Sequence, residues 1–176
     1  MAFRAIEMTS IDEYRNAAAC LATSVSIVTS ATRNERAGTT VSAICSVSLD
    51  PILLLVCLHR KARTHDLILQ SERFGVSVLG ERAVSVALRF ARPNPDKFKN
   101  VATRESYGVP ILSDALATFI CALHQKVGAG DHSIFIGRVL SCGSRAGSPQ
   151  VHFNRQFCVL EDTSRRLVND LYALGF

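Results

Sequence analysis

With 176 residues, 48% of them hydrophobic, the chain is long enough for one domain with a buried core, and disorder is disfavoured. The net charge of +5 comes from dispersed basic residues and the chain has no tryptophan, which disfavours nucleic-acid binding and fits small phosphate-bearing ligands. No apolar run approaches the ~20 residues of a membrane helix, and residues 1–7 lack the apolar core of a secretion signal. We therefore expect one cytoplasmic domain over residues 1–176.

The six cysteines are scattered along the chain without any Cys-x-x-Cys pair, and most lie in apolar stretches. Free cysteine behaves there as a small hydrophobic residue, so we expect reduced thiols. No histidine stands at metal-ligand spacing from a cysteine or a carboxylate, and we expect no metal site.

The first third of the chain predicts one helix followed by three strand segments. Ser10 and Glu13 form a capping box, which predicts a helix from Ser10 to residue 21. Residues 25–29 alternate as a half-buried strand, and residues 39–47 are a second β-prone run. The continuous apolar run at residues 51–58 predicts a fully buried strand.

Helices and strands then follow one another in irregular order. The patterns predict helices at 63–71 and 81–90, strands at 74–79, 117–125, 133–141 and near 151–160, a polar loop at 93–112 and a short C-terminal helix within 161–176. About six strands with few helices do not form the alternating βαβ pattern of a Rossmann domain. They favour a closed or nearly closed antiparallel barrel with peripheral helices.

A Gly-Asp turn delivers a histidine to the start of a strongly β-forming run. Gly130 and Asp131 are turn residues, and the strand residues Ile134 to Ile136 follow soon after. His132 is therefore expected at the rim of the sheet, where ligands of small barrels dock. The same pattern also fits a plain hairpin with a packed histidine.

The segment of residues 38–51 is unusually rich in hydroxyl groups for a strand. The hydroxyls of Thr40, Ser42, Ser46 and Ser48 occupy alternate positions, so we expect them to face one way and to offer donors to a planar, carbonyl-rich ligand. A half-exposed strand with solvated serines remains the alternative, although serine is a poor strand former.

Four segments together resemble the flavin reductase family, the reductase components of two-component flavin-dependent monooxygenases. They are residues 38–51, residues 90–92 with 96–98, residues 108–112, and residues 130–137. The resemblance as a whole runs from about residue 14 to residue 161, which implies a core there with short extensions at both ends. The resemblance implies a mainly β, antiparallel Greek-key split β-barrel with peripheral helices. It also implies a homodimer in which NADH or NADPH reduces FAD or FMN, and the reduced flavin then diffuses to a partner monooxygenase.

The resemblance also implies which residues bind the flavin and the nicotinamide nucleotide. The isoalloxazine and ribityl contacts would be Thr40, Val41, Ser42 and Ala43, continued by Ser46 and Val47. The phosphate-side contacts would be Ala62, Arg63, Phe90, Ala91 and Arg92. His132 would contact the nicotinamide nucleotide, and Phe153 and Asn154 would close over it.

No protein side chain is expected to be catalytic, because the two cofactors supply the chemistry. Three candidate phosphate anchors, Arg63, Arg92 and Lys97, favour FAD with its pyrophosphate over FMN. No cluster specific for a 2′-phosphate is evident, which favours NADH over NADPH. The chain departs from the family at Ala43-Ile44, where members often have Ser-Phe, and at Arg155 and Phe157, where many have glycine and tyrosine. Arg155 adds a cation beside the expected nucleotide site.

Two other functions remain open on the same barrel. One is an oxidase with tightly bound FMN, and the other is a non-catalytic module that binds flavin or haem. Neither nucleic acid nor a membrane is expected as a partner.

Overall fold

The computed structural model describes residues 9–160, so the predicted C-terminal helix lies outside the described residues. The three helices are α1 (Ile11–Ala19), α2 (Arg63–Ser71) and α3 (Val84–Ala91). The strands are β1 (Thr23–Ser24), β2 (Ser26–Ala31), β3 (Arg36–Val41), β4 (Ile44–Leu49), β5 (Ile52–His59), β6 (Arg73–Val78), β7 (Thr103–Ser106), β8 (Val109–Leu112), β9 (Ala117–Ala129), β10 (His132–Ser144), β11 (Val151–Phe153) and β12 (Gln156–Cys158).

Helix α1 starts where its sequence predicts. The Ser10 hydroxyl accepts a hydrogen bond from the Glu13 N–H at 3.2 Å, and the Glu13 carboxylate accepts one from the Ser10 N–H at 2.8 Å. These bonds, chiefly the one from the Ser10 backbone, lower the pKa of Glu13. The predicted capping box is thus confirmed.

Seven strands form the main sheet in the order β3-β2-β6-β9-β10-β5-β4, and every neighbouring pair is antiparallel. Two smaller sheets, β1-β11-β12 and β7-β8, complete the β-structure of the described residues. The long β9–β10 hairpin connects the β2–β3 half of the main sheet to the β4–β5 half. This arrangement confirms the mainly β antiparallel fold with peripheral helices.

The expected number of about six strands was too low, because short hairpins were overlooked. Residues 93–112, predicted as a polar loop, contain the β7–β8 hairpin, whose turn uses positive φ at Tyr107 (52°) and Gly108 (74°). Val109 and Ile111 on β8 are fully buried. Four apolar residues are too short a run to be distinguished from loop without knowing what they pack against.

The hydroxyl-rich run of residues 39–47 is broken into two strands, β3 and β4, at Ser42 and Ala43. The Thr40 hydroxyl on β3 donates to the carbonyl of Ala87 on α3 at 2.6 Å, and the pairing of β4 with β5 shifts register between Ser46 and Ser48. The prediction of a single row of hydroxyls facing one way was therefore wrong. The chain turns between the strands, which breaks the two-residue alternation on which the prediction depended.

Strand β5 is not buried on both faces, in contrast to the sequence prediction. Leu54, Val56 and Leu58 lie in the core, whereas Leu53 and Leu55 between them are only half-buried. Its apolar residues therefore cover the core on one side and leave a second apolar face on the outside. No helix within residues 9–160 is long and apolar enough to cross a membrane.

Candidate functional site

The turn singled out in the sequence positions a histidine at the end of the main sheet. Gly130 adopts a positive φ of 60°, which glycine accepts without strain, and β10 begins at His132. His132 pairs directly with His59, the last residue of β5. The predicted position of His132 at the rim is confirmed.

A cavity of about 550 Å³, the first cleft, opens at this rim. Its lining comprises Tyr14 of α1, residues 39–43, residues 57–59, Ala62, Ala129, Asp131 and His132. His132 thus shares one cavity with the break between β3 and β4. The volume is within the range of about 300–1,000 Å³ that small-molecule sites occupy.

A neighbouring cavity of about 510 Å³, the second cleft, continues from the first. Thr39, His59 and Ala62 line both cavities, so the two form one elongated slot. The remaining lining comprises residues 35–38, Lys61, Arg63, Thr64, residues 91–95, Lys97 and Phe98. The second cleft is rich in basic side chains, whereas the lining of the first is mostly small and uncharged.

Nine of the fourteen residues predicted to bind cofactors line this slot. They are Thr40, Val41, Ser42, Ala43, Ala62, Arg63, Ala91, Arg92 and His132. Ser46 and Val47 lie further along β4 and line neither cleft. Their distance from the slot follows from the break at Ser42, which the sequence did not predict.

Phe90 also fails to reach the slot. Phe90 belongs to α3, and its side chain is fully buried on the core side of that helix. The ring packs edge-to-face against Phe98 with ring centroids 5.1 Å apart. Its backbone carbonyl instead accepts a hydrogen bond from the Lys97 ammonium at 2.9 Å. Phe90 therefore supports the wall of the second cleft from the core side.

Phe153 and Asn154 line neither cleft, and Asn154 is linked to the first cleft through helix α1. Asn154 and Arg155 form the two-residue turn between β11 and β12, both at positive φ (47° and 63°). The Asn154 N–H donates to the Ala19 carbonyl at 2.8 Å, and the Arg155 guanidinium donates to the Asn16 side chain at 2.7 Å. The turn thus holds the helix that places Tyr14 in the first cleft.

The family of flavin reductase like domains matches residues 18–161 of this chain. The chain belongs to the flavin reductase family. It is 37% identical over 139 residues to the NADH-dependent flavin reductase StyB of Pseudomonas fluorescens, covering 78% of this chain and 81% of that protein. It is 35% identical over 145 residues to the reductase component of the 4-nitrophenol 4-monooxygenase/4-nitrocatechol 2-monooxygenase of Rhodococcus opacus, covering 82% of this chain and 78% of that protein.

Solved structures of flavin reductases share the fold. The NADH:FAD oxidoreductase SgcE6 of Streptomyces globisporus, in complex with NAD and FAD fragments, superimposes with a TM-score of 0.83 at 28% identity, covering 89% of this chain and 98% of that one. The chain is therefore an NAD(P)H:flavin oxidoreductase with the split-barrel fold. The comparisons support this activity over the oxidase and the binding module that the sequence left open.

The three candidate phosphate anchors of the reductase differ in how far their charge is already paired. Arg63 donates to both carboxylate oxygens of Glu35, at 2.8 Å for one of them, and lies 3.5 Å from Asp66. This pairing, mainly the hydrogen bond from Arg63, lowers the pKa of Glu35, and the same carboxylate raises the pKa of Arg63. Most of the charge of Arg63 is thus compensated within the protein.

The Lys97 ammonium also has partners within the protein, whereas the Arg92 guanidinium has no salt-bridge partner among the described residues. The Lys97 ammonium donates to the carbonyls of Gly38 at 3.1 Å and Phe90 at 2.9 Å, and burial lowers its pKa. Arg92 is exposed and has no salt-bridge partner among residues 9–160. Of the three, Arg92 is the cation best able to receive a phosphate.

In the first cleft, the Asp131 carboxylate contacts two imidazoles. It is 2.7 Å from Nδ1 of His132, and this hydrogen bond is the main cause of the lowered pKa of Asp131. Nε2 of His59 lies 3.7 Å from the other carboxylate oxygen, and the His59 ring packs edge-to-face against that of His132 with centroids 5.1 Å apart. Asp131 and His59 were missed as site residues, because the register that pairs β5 with β10 is not visible in the sequence.

Beneath the cleft, a buried side chain anchors the start of β10. Nε2 of His65 on α2 lies 3.1 Å from the Ser133 hydroxyl, and its ring packs edge-to-face against Phe135. Both His65 and Ser133 are buried. A satisfied hydrogen bond in the core holds the residue next to His132 in place and so restricts the histidine.

Proposed function

We propose that this reductase binds flavin and NADH together in the slot formed by the two clefts, reduces the flavin, and releases it to a flavin-dependent monooxygenase. The observation that carries the proposal is that His132 and residues 40–43 line one cavity. A cytoplasmic location is part of the proposal, because six free thiols suit a reducing compartment.

The division of polarity along the slot indicates how the flavin lies. The first cleft, with its small neutral lining, suits the isoalloxazine and the nicotinamide, and the basic second cleft suits the phosphates. Arg92, Lys61 and Arg36 all line the second cleft and are exposed. This concentration of cations supports FAD, with its pyrophosphate, as the preferred flavin.

The break between β3 and β4 provides donors for the flavin ring. Among residues 9–160, the N–H groups of Ser42 and Ala43 donate no hydrogen bond, although both residues line the first cleft. Free backbone N–H groups in a cleft stabilise negative charge that develops on a bound ring during hydride transfer. These two residues are therefore proposed to bind the carbonyl edge of the isoalloxazine.

Hydride transfer between a nicotinamide and a flavin is chemistry that the two ligands supply, provided that their rings stack at about 3–3.5 Å with water excluded. The protein has to hold the two rings in that geometry. His132 lines the same cavity as the β3–β4 break, so it is proposed to orient a nicotinamide stacked on the flavin. Tyr14 on α1 also lines this cavity and is proposed to exclude water.

The central experiment follows NADH absorbance with FAD, with FMN and without added flavin. We expect rapid NADH oxidation only with flavin and a lower KM for FAD than for FMN. A preparation that is yellow with stoichiometric FMN and consumes NADH without added flavin would instead identify the oxidase.

His132→Ala is expected to raise the KM for NADH more than it lowers kcat, with a loss of roughly 1–2 kcal/mol in kcat/KM. The reason is that an orienting hydrogen bond contributes to binding of the nucleotide rather than to the hydride step itself. Steady-state kinetics with the NADH concentration varied at saturating flavin measure the effect. NADH parameters equal to those of the wild type would remove His132 from the site.

A homodimer is the second part of the proposal, and the outer face of the main sheet supports it. Leu53 and Leu55 on β5 and Ile134 and Ile136 on β10 are apolar, only half-buried, and lie on paired neighbouring strands. A strand that is apolar on both faces is normally covered on both. Cys57 continues this face and also lines the first cleft, so a second copy would border the site.

Leu55→Lys is expected to convert the dimer into monomers, because it places a charge at the centre of this face. Sedimentation equilibrium measures the change, with circular dichroism to confirm the fold. Leu88→Lys is the control, since Leu88 is 41% exposed on α3, which packs against β2 and β3 in the other half of the main sheet. A monomeric wild-type protein, or a Leu55→Lys variant that stays dimeric, would contradict the assignment.

A further inference from the structure

Two histidines and one aspartate meet at the end of the β9–β10 hairpin. His59 and His132 are directly opposite each other on β5 and β10, and Asp131 precedes His132 in the turn. Asp131 Oδ1 lies 2.7 Å from His132 Nδ1, and Asp131 Oδ2 lies 3.7 Å from His59 Nε2. Each oxygen of one carboxylate therefore faces a different imidazole.

A backbone hydrogen bond orients the second imidazole. The Lys61 N–H donates to Nδ1 of His59 at 3.0 Å, so Nδ1 is an acceptor and carries no proton. The proton of neutral His59 is therefore on Nε2, the nitrogen that faces Asp131. His132 is the complement: its Nδ1–H donates to Asp131, which leaves Nε2 as the nitrogen available to a ligand in the first cleft.

We infer that His59 is a positioning residue, which holds the Asp131 carboxylate in the orientation that directs Nε2 of His132 toward the nicotinamide nucleotide. The inference rests on the proposed function for the role of His132. His59 is not among the site residues that the sequence predicted. His59 acts through Asp131: its Nε2 lies 3.7 Å from the carboxylate, and an outer polar partner of this kind orients the group to which a functional histidine is bonded.

The charged groups around the pair come from two neighbouring segments. At the end of β5, the Arg60 guanidinium donates to the His132 carbonyl at 3.2 Å, and Lys61 is the next residue. Cys57 on β5 is a thiol whose pKa is raised by burial and by the nearby Asp131 carboxylate. The turn contributes Asp131. Among the other residues that line the first cleft, α1 contributes Tyr14, and β3 contributes only Thr39, Thr40 and Val41.

The packing of the two rings adds a second constraint on His132. The rings are edge-to-face with centroids 5.1 Å apart, so the His59 ring limits rotation of the His132 ring. Removing His59 therefore frees both the Asp131 carboxylate and the His132 ring, and His132 should lose its preference for the tautomer that carries its proton on Nδ1. Loss of packing elsewhere in the fold would not change this tautomer.

The test compares His59→Ala with His59→Gln, since the glutamine amide can place a donor near the position of Nε2 without a titratable charge. His59→Ala is expected to raise the KM for NADH about threefold to tenfold with kcat little changed, because the Asp131 carboxylate loses one of the two imidazoles that orient it. His59→Gln is expected to restore the KM. His124→Gln, at an exposed position on β9 outside both clefts, is the control.

The second measurement is nitrogen-15 NMR of the His132 ring without nucleotide and at one pH, which distinguishes a proton on Nδ1 from a proton on Nε2. The Nδ1–H tautomer is expected to dominate in the wild type, in His59→Gln and in His124→Gln, and to give way to a mixture in His59→Ala. An unchanged His132 tautomer in His59→Ala, or a His59→Gln variant with as high a KM as His59→Ala, would overturn the inference. If His132→Ala leaves NADH kinetics intact while the tautomer of His132 still changes in His59→Ala, the proposed function fails and the coupling of His59 to His132 stands.

Discussion

Replacing Ala62 with tryptophan is expected to lower the kcat/KM of flavin-dependent NADH oxidation by about a hundredfold or more, because displacement of reacting groups by as little as ~1 Å can cost that much. Ala62 lines both clefts at their junction and precedes helix α2. An indole there would fill the passage that the flavin spans, from its ring to its phosphates, in the proposed binding mode. Flavin binding, measured by quenching of flavin fluorescence, should be lost as well.

Ala146→Trp is the matched control for this experiment. Ala146 is an exposed alanine that lines a separate cavity of about 450 Å³ on another part of the reductase. Normal activity and flavin binding are expected for Ala146→Trp. The circular dichroism spectrum is expected to be unchanged in both Ala62→Trp and Ala146→Trp. An Ala62→Trp variant that still binds and reduces flavin would show that the flavin does not cross from one cleft to the other.

The second large effect concerns the core rather than the site. Gly137→Ala is expected to destabilise the reductase by about 2–3 kcal/mol, because the added methyl group has no space. A Cβ at Gly137 would lie 2.5 Å from the Phe74 ring and 2.6 Å from the Cβ of Cys121. The Cys121 atom is fixed to its backbone on β9, so the strands themselves would have to move.

Thermal denaturation measures the effect, and a fall in Tm of roughly 4–10 °C is expected for a chain of this size. Gly143→Ala is a control on the same strand, since the nearest atom to a Cβ there is the Thr118 hydroxyl oxygen at 3.8 Å. That variant is expected to match the wild type or gain slightly, because alanine reduces the entropy of the unfolded chain. Equal Tm values for the two variants would contradict the packing argument.

The fully buried Phe74 explains why a glycine is needed on β10. The Phe74 ring fills the interior of the barrel at the point where β10 pairs with β9, and the pairing shifts register between Ile136 and Gly137. The ring and the strand can approach closely only without a side chain at residue 137.

Much of the local structure was predictable from short stretches of sequence. Helix α2 has the predicted bounds, and α1 starts at its predicted capping box. The Gly-Asp turn before His132 was also predicted correctly. These features depend on residues within a few positions of one another, so their pattern is complete in the sequence itself.

Features that depend on distant residues were not predictable in the same way. The burial of Phe90 depends on Phe98 and on β3, and the partner of Arg155 is Asn16, 139 positions away. The break at Ser42 was hidden because hydroxyl residues occur at alternate positions on both sides of it. The order of residue types along the chain shows neither where a strand ends in a turn nor which distant residues its side chains contact.

The sequence by itself determined the family, the class of fold and a histidine at a strand end, since the motif segments and the turn are local properties of the chain. Only the tertiary structure decided that His59 faces His132, that Asp131 contacts both of them, and that Ala62 joins two clefts into one slot. The physical reason is register: hydrogen bonding between β5 and β10 sets which side chains are neighbours, and the packing of the whole barrel selects that register.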